Sequence, residues 1–139
     1  MLTTDDYKFR LKNITAKFDD CCLAFDTEKM NKRSAELDEI RQAPDFYSDP
    51  KRAAEINSEA KYISDKLEEL SFYRRSLDDL ATLIELVESE NDDSYFGEIE
   101  ETLDSLSGKI EQLHLETLLK GEYDKHNAIL MLQAGAGGT

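Results

Sequence analysis

Apolar residues recur along most of this chain at alternating steps of four and three, and that rhythm leaves few folds open. A mean step of 3.5 returns side chains to one side of an α-helix, whereas a half-buried strand repeats every second residue. In the first segment the series is Tyr7, Leu11, Ile14, Phe18, Cys21 and Phe25. It predicts a helix over Thr4 to Phe25, with Thr4 as its cap and Asp5 and Asp6 in the first turn, where the helix dipole favours negative charge. Asp26 reads as a fresh N-cap ahead of a second helix, Thr27 to Gln42, with Met30, Leu37 and Ile40 facing inward. The residues from Phe25 to Thr27 fit either a kink or a full break.

Pro44 disfavours helix at Ala43, which makes Ala43 to Asp49 a loop. Its aromatics, Phe46 and Tyr47, read as pins that hold the loop to the bundle, with a direct partner contact as the alternative. Asp49-Pro50 then has the form of a cap followed by proline at the first helical position. From Pro50 to Lys120 there are two glycines, Gly97 and Gly108, and no further proline, so little interrupts helix over seventy residues. The third helix is expected from Pro50 to Glu88, on a seam of Ile56, Ala60, Ile63, Leu67, Leu70, Arg74, Leu77, Ala81, Ile84 and Glu88. Tyr62, Tyr73, Leu80, Leu83 and Val87 widen that stripe, which implies more than one neighbouring helix. Arg74 is the odd member of the seam, read as an arginine that snorkels outward or pairs with a carboxylate on the facing helix, with a register-fixing buried polar residue as the alternative.

A short acidic turn, Glu90 to Asp93, forces the next helix to run antiparallel to the third. That helix is expected from Ser94 to Lys120 on Phe96, Ile99, Leu103, Leu106, Ile110, Leu113 and Thr117, broadened by Leu115, Leu118 and Leu119. Gly121 is placed to end it in a left-handed turn. Beyond it, Ala128 to Leu132 is a compact apolar run of strand length, followed by a glycine-rich turn over Gly135 to Thr139. The expected architecture is therefore an all-α antiparallel helical bundle or coiled coil followed by one orphan C-terminal β-strand. Residues 1–121 form the helical domain, and 122–139 a linker with the first strand of a following domain.

Composition narrows the function. The formal net charge is −14, with 35% charged residues, and no basic patch exists to grip phosphates, so a protein partner is favoured over bare nucleic acid. Adjacent Cys21 and Cys22 exclude a disulfide framework and suit a reducing compartment. No apolar run approaches the length of a membrane span. Gly135-Ala136-Gly137-Gly138-Thr139 lacks the lysine of a phosphate loop. His114 and His126 stand in no zinc-ligand spacing, and no pair of carboxylates converges for acid–base work. No catalytic, metal or cofactor residue is assigned, and the sequence leaves the partner-binding residues unknown.

Three segments carry a resemblance. Pro44-Asp45-Phe46-Tyr47-Ser48-Asp49-Pro50, Gly121-Glu122-Tyr123-Asp124 and Leu132-Gln133-Ala134-Gly135-Ala136-Gly137-Gly138-Thr139, in this order, resemble the bacterial class I peptide chain release factors. Gln133 and Thr139 look like type 2 of that family, whereas type 1 shows arginine and aspartate there. Tyr47 stands where relatives often carry tryptophan. The resemblance implies a protein that reads the stop codons UGA and UAA on the ribosome and promotes peptidyl-tRNA hydrolysis, of which this chain is the N-terminal domain. The family's Ser-Pro-Phe and Gly-Gly-Gln motifs do not occur here, so no catalytic residue is carried over. It further implies docking at the base of the large-subunit stalk, beside ribosomal protein L11, in the cytoplasm. The alternative, on the heptads alone, is an acidic coiled-coil adaptor unrelated to translation.

Overall fold

The computed structural model describes residues 2–126, with side chains as far as Leu119. Four α-helices follow one another: α1 (Thr4–Phe25), α2 (Thr27–Arg41), α3 (Pro50–Glu90) and α4 (Phe96–His126), with short 3-10 turns at Phe46–Ser48 and Asp93–Tyr95. No strand occurs among the described residues, and the strand expected at Ala128 to Leu132 lies outside them.

The helix starts follow local chemistry. Thr3, not Thr4, caps α1: its hydroxyl accepts the Asp6 N–H while the Asp6 carboxylate takes the Thr3 N–H at 2.8 Å. The reciprocal pair satisfies two of the orphan donors of the first turn. Asp49 caps α3, with Pro50 first inside the helix. Between α1 and α2 a single residue, Asp26, takes the left-handed conformation at φ 55°, ψ 71°. Its N–H closes α1 on Cys22 and Leu23, and its carboxylate accepts the Lys29 N–H at 3.2 Å to open α2. The Phe25–Thr27 junction is thus a break one residue long.

Side-chain bonds fix the directions of the helices. Thr4 bonds Glu88, Asp19 pairs with Arg74 and Arg33 pairs with Glu59, so numbers rise on α1 and α2 as they fall on α3. The broken rod α1–α2 therefore runs antiparallel to the whole of α3 in one register. Arg10 pairs with Asp104 and Lys17 with Glu111, which sets α4 parallel to α1. At roughly 60 Å, α3 is the spine. Its C-terminal part packs with α1 and α4 as a three-helix core, and its N-terminal part packs with α2.

The core stripes of α1 and α4 are those expected: Tyr7, Leu11, Phe18, Cys21 and Phe25 face Ile99, Leu103, Leu106, Ile110 and Leu113. On α3 the stripe is rotated. Ile63, Leu70, Leu77 and Ile84 are buried as expected, and so are Tyr73, Leu80 and Val87 of the widened stripe; these three, with the unexpected Lys66, fill the alternate places rather than Leu67, Arg74, Ala81 and Glu88. The cause is the number of neighbours, since a helix touched by three others centres its buried arc between them.

Two further expectations fail at the end of α4. Its backbone runs on through Gly121 to His126, so Gly121 does not end the helix. Leu115, Leu118 and Leu119 do not broaden the core; they are 52%, 57% and 56% exposed. Their i, i+3, i+4 spacing makes them one stripe, but on the face turned away from Ile110 and Leu113.

Candidate partner-docking surface

Among the described residues no catalytic constellation forms. Among the described residues no group of three or more His, Cys, Asp or Glu side chains is placed to hold a metal ion, and no helix is long and apolar enough to cross a membrane. His114 is half-buried on α4. His126 is the last residue of that helix. Cys21 is buried and Cys22 half-buried, both thiols are free, and burial pushes both up from the ordinary thiol range. Depressed reactivity follows, because the thiolate is the nucleophile.

Arg74 does what its place on the edge of the stripe allows. Its guanidinium lies 4.7 Å from the centre of the Phe18 ring and pairs with Asp19. The hydrogen bond it donates to that carboxylate holds it above the ordinary arginine value. The buried charge is instead Lys66, which the sequence reading passed over because a lysine looks like an outward position. It is 8% exposed, with its ammonium 2.9 Å from Glu69 and 2.7 Å from Glu116, and 5.2 Å from the Phe25 ring centre. Burial works against its charge, yet the two carboxylates prevail and its pKa stands above the ordinary lysine value.

The loop aromatics divide their work. Phe46 is buried, and Tyr47 stands edge-on to it at 4.7 Å while remaining 73% exposed. Phe46 is the pin, and Tyr47 is a presented side chain in a stretch of mixed charge, between the exposed Asp45 and Asp49 and with Arg41, Lys51 and Arg52 farther away along the chain.

The opposite end of the bundle is the stronger feature. Between Ser76 and Gly108 the sequence carries eleven carboxylates and no lysine, arginine or histidine. The α3–α4 hairpin folds that run onto one end, and the Thr4–Glu88 bond brings Asp5 and Asp6 of α1 to the same place. Asn91, in the left-handed region at φ 55°, closes α3. Asp92 then accepts the Ser94 N–H at 2.9 Å, and this hydrogen bonding holds its carboxyl below the usual range. Lys8 and Arg10 neutralise Glu88 and Asp104, while Glu90, Asp93, Glu98 and Glu101 remain exposed. Tyr95 and Leu86 stand exposed among them. An aromatic and an aliphatic side chain inside a field of one sign is a surface suited to a basic partner. The signal was present in the sequence as a 33-residue window without a cation.

Comparison with known proteins agrees with the resemblance. The model of the PCRF domain matches residues 30–139. A peptide chain release factor 2 of Salinispora tropica is 34% identical over 99% of this chain and 37% of its own length. One from Clostridium perfringens is 40% identical over 84% of this chain and 32% of its own length, and one from Nautilia profundicola is 31% identical over 96% and 36%. The chain spans about a third of the length of these relatives. With the family model covering well over half of its residues, the chain belongs to the PCRF-domain family of peptide chain release factors.

Proposed function

We propose that this chain is the ribosome-docking helical domain of a translation termination factor, and that the acidic α3–α4 end makes the contact. The observation that carries the reading is the eleven-carboxylate window folded onto one end of the bundle, in a chain similar to release factor 2 proteins. The partner we infer is the basic protein component at the base of the large-subunit stalk, ribosomal protein L11 with its RNA. Opposite charge would steer the encounter and set its orientation, while Tyr95 and Leu86 would add apolar contact. The parent protein would read UGA and UAA and promote peptidyl-tRNA hydrolysis through motifs outside these residues. In this reading the present stretch has no catalytic role, needs no cofactor and works in the cytoplasm. The helical part hands over to the following domain within residues 122–139.

Co-sedimentation with large ribosomal subunits tests this. The triple variant Glu90→Gln, Asp93→Asn, Glu98→Gln is expected to bind about tenfold more weakly than the parent chain at low salt. The difference should shrink as salt is raised, because the lost charges are exposed and screened. Equal binding of the two proteins would contradict the assignment of this end.

A further inference from the structure

The Lys66 cluster sits where the three-helix core gives out. On α1 it meets Phe25, the last residue before the Asp26 break, and on α4 it meets Glu116. Among the described side chains, Leu113 is the last buried apolar one of α4. Past it the seam position passes to Thr117, and Leu115, Leu118 and Leu119 point away from the bundle and give no apolar grip. Among the described side chains of that last stretch, Glu116 makes the ion pair that ties α4 back to α3.

We propose that the Lys66–Glu116 ion pair is a latch that holds the end of α4 against the bundle and so sets the direction in which that helix leaves it. Several features make the pair suited to that task. Lys66 is held in place whether or not Glu116 is docked, by Glu69 at 2.9 Å on its own helix and by the Phe25 and Tyr62 rings, whose centres lie 5.2 and 6.0 Å away. Glu69 is itself fixed by the Tyr73 hydroxyl at 3.1 Å. The α3 half of the latch is thus preorganised, and the α4 half is a half-exposed carboxylate past the last buried apolar residue among the described side chains of α4. An ion pair with one buried partner is also directional: Glu116 reaches the ammonium only when α4 lies in the observed rotation about its axis. Leucines in the same place would hold the helix without fixing that rotation.

Hydrogen exchange on the 139-residue chain tests the latch through two variants. Lys66→Met keeps the volume and apolar stem while removing the charge, and Glu116→Gln changes only the α4 half. Both are expected to speed amide exchange from Glu116 to His126 about tenfold, and to leave Ile99 to Leu113 as in the parent chain. In the double variant the effect should be no larger than in either single one, because both remove the same interaction. Glu69→Gln, which leaves the Lys66–Glu116 pair in place, should change exchange at that end by less than threefold. Unchanged exchange in both single variants would overturn the proposal. So would acceleration spread evenly along α4, or loss of the whole fold in both, since the cluster would then be ordinary core.

Discussion

Asp26 shows how much of the molecule rests on one backbone angle. An L-residue in the left-handed region costs about 1 kcal/mol, which aspartate tolerates better than most. Asp26 offsets that cost by closing α1 through its N–H and opening α2 through its carboxylate. Asp26→Ala removes the cap and keeps the strained angle, so it should destabilise the fold by about 2 kcal/mol. Asp26→Asn, which keeps a side-chain oxygen and favours that region, should lie within about 0.5 kcal/mol of the parent. Urea unfolding of the two variants measures both, and equal stabilities would show that the break is not capped as described. At this scale the sequence was legible wherever a residue's job is local. Asp49-Pro50 and Asp26 are read correctly because capping depends on three or four neighbours. Thr3 and Thr4 are equally good caps on paper, and the reciprocal bond with Asp6 decides between them. Lys66 was not legible, because its burial depends on carboxylates three and fifty residues away.

Among the helices, the edges of α1 are laced to both neighbours by ion pairs, and these should govern the response to acid. Hydrogen bonds from Lys8 and Thr4 hold the Glu88 carboxyl below its ordinary value of 4.5, and the Lys17 hydrogen bond does the same for Glu111. Each group takes its proton less readily folded than unfolded, so unfolding is coupled to proton uptake. The stabilisation is present above pH 4.5 and is lost as pH falls below it. Glu88→Gln combined with Glu111→Gln should therefore flatten the decline of Tm between pH 5 and pH 3. A decline as steep as the parent's would place the acid response elsewhere. Element positions were legible because Asp26, Pro50 and the acidic turn after Glu90 mark them. The rotation of α3 and the outward stripe of α4 were not. Apolar spacing shows that a stripe exists, and only the neighbours decide whether Leu67 or Lys66 lies at its centre. The leucines at 115, 118 and 119 fail for a related reason, since following the seam from Ile110 and Leu113 by sevens arrives at Thr117 instead.

For the whole molecule, the governing property is the gathering of carboxylates without nearby cations at one end of the bundle. Antiparallel packing of α1–α2 on α3, and the return of α4, carry Asp5, Asp6 and the carboxylates of the α3–α4 turn to that end, whereas the other end mixes Arg41, Lys51 and Arg52 with Asp38, Asp45 and Asp49. Net charge alone, −14, says only that a basic partner is favoured; the fold says which end presents the charge. Photo-crosslinking on the large ribosomal subunit tests that claim most directly, with a benzophenone amino acid replacing either exposed aromatic, Tyr95 at the acidic end or Tyr47 at the opposite end. The account predicts a covalent product with the stalk-base protein from position 95 and none from position 47. A product from position 47 alone would mean that the opposite end of the bundle docks, and would contradict it.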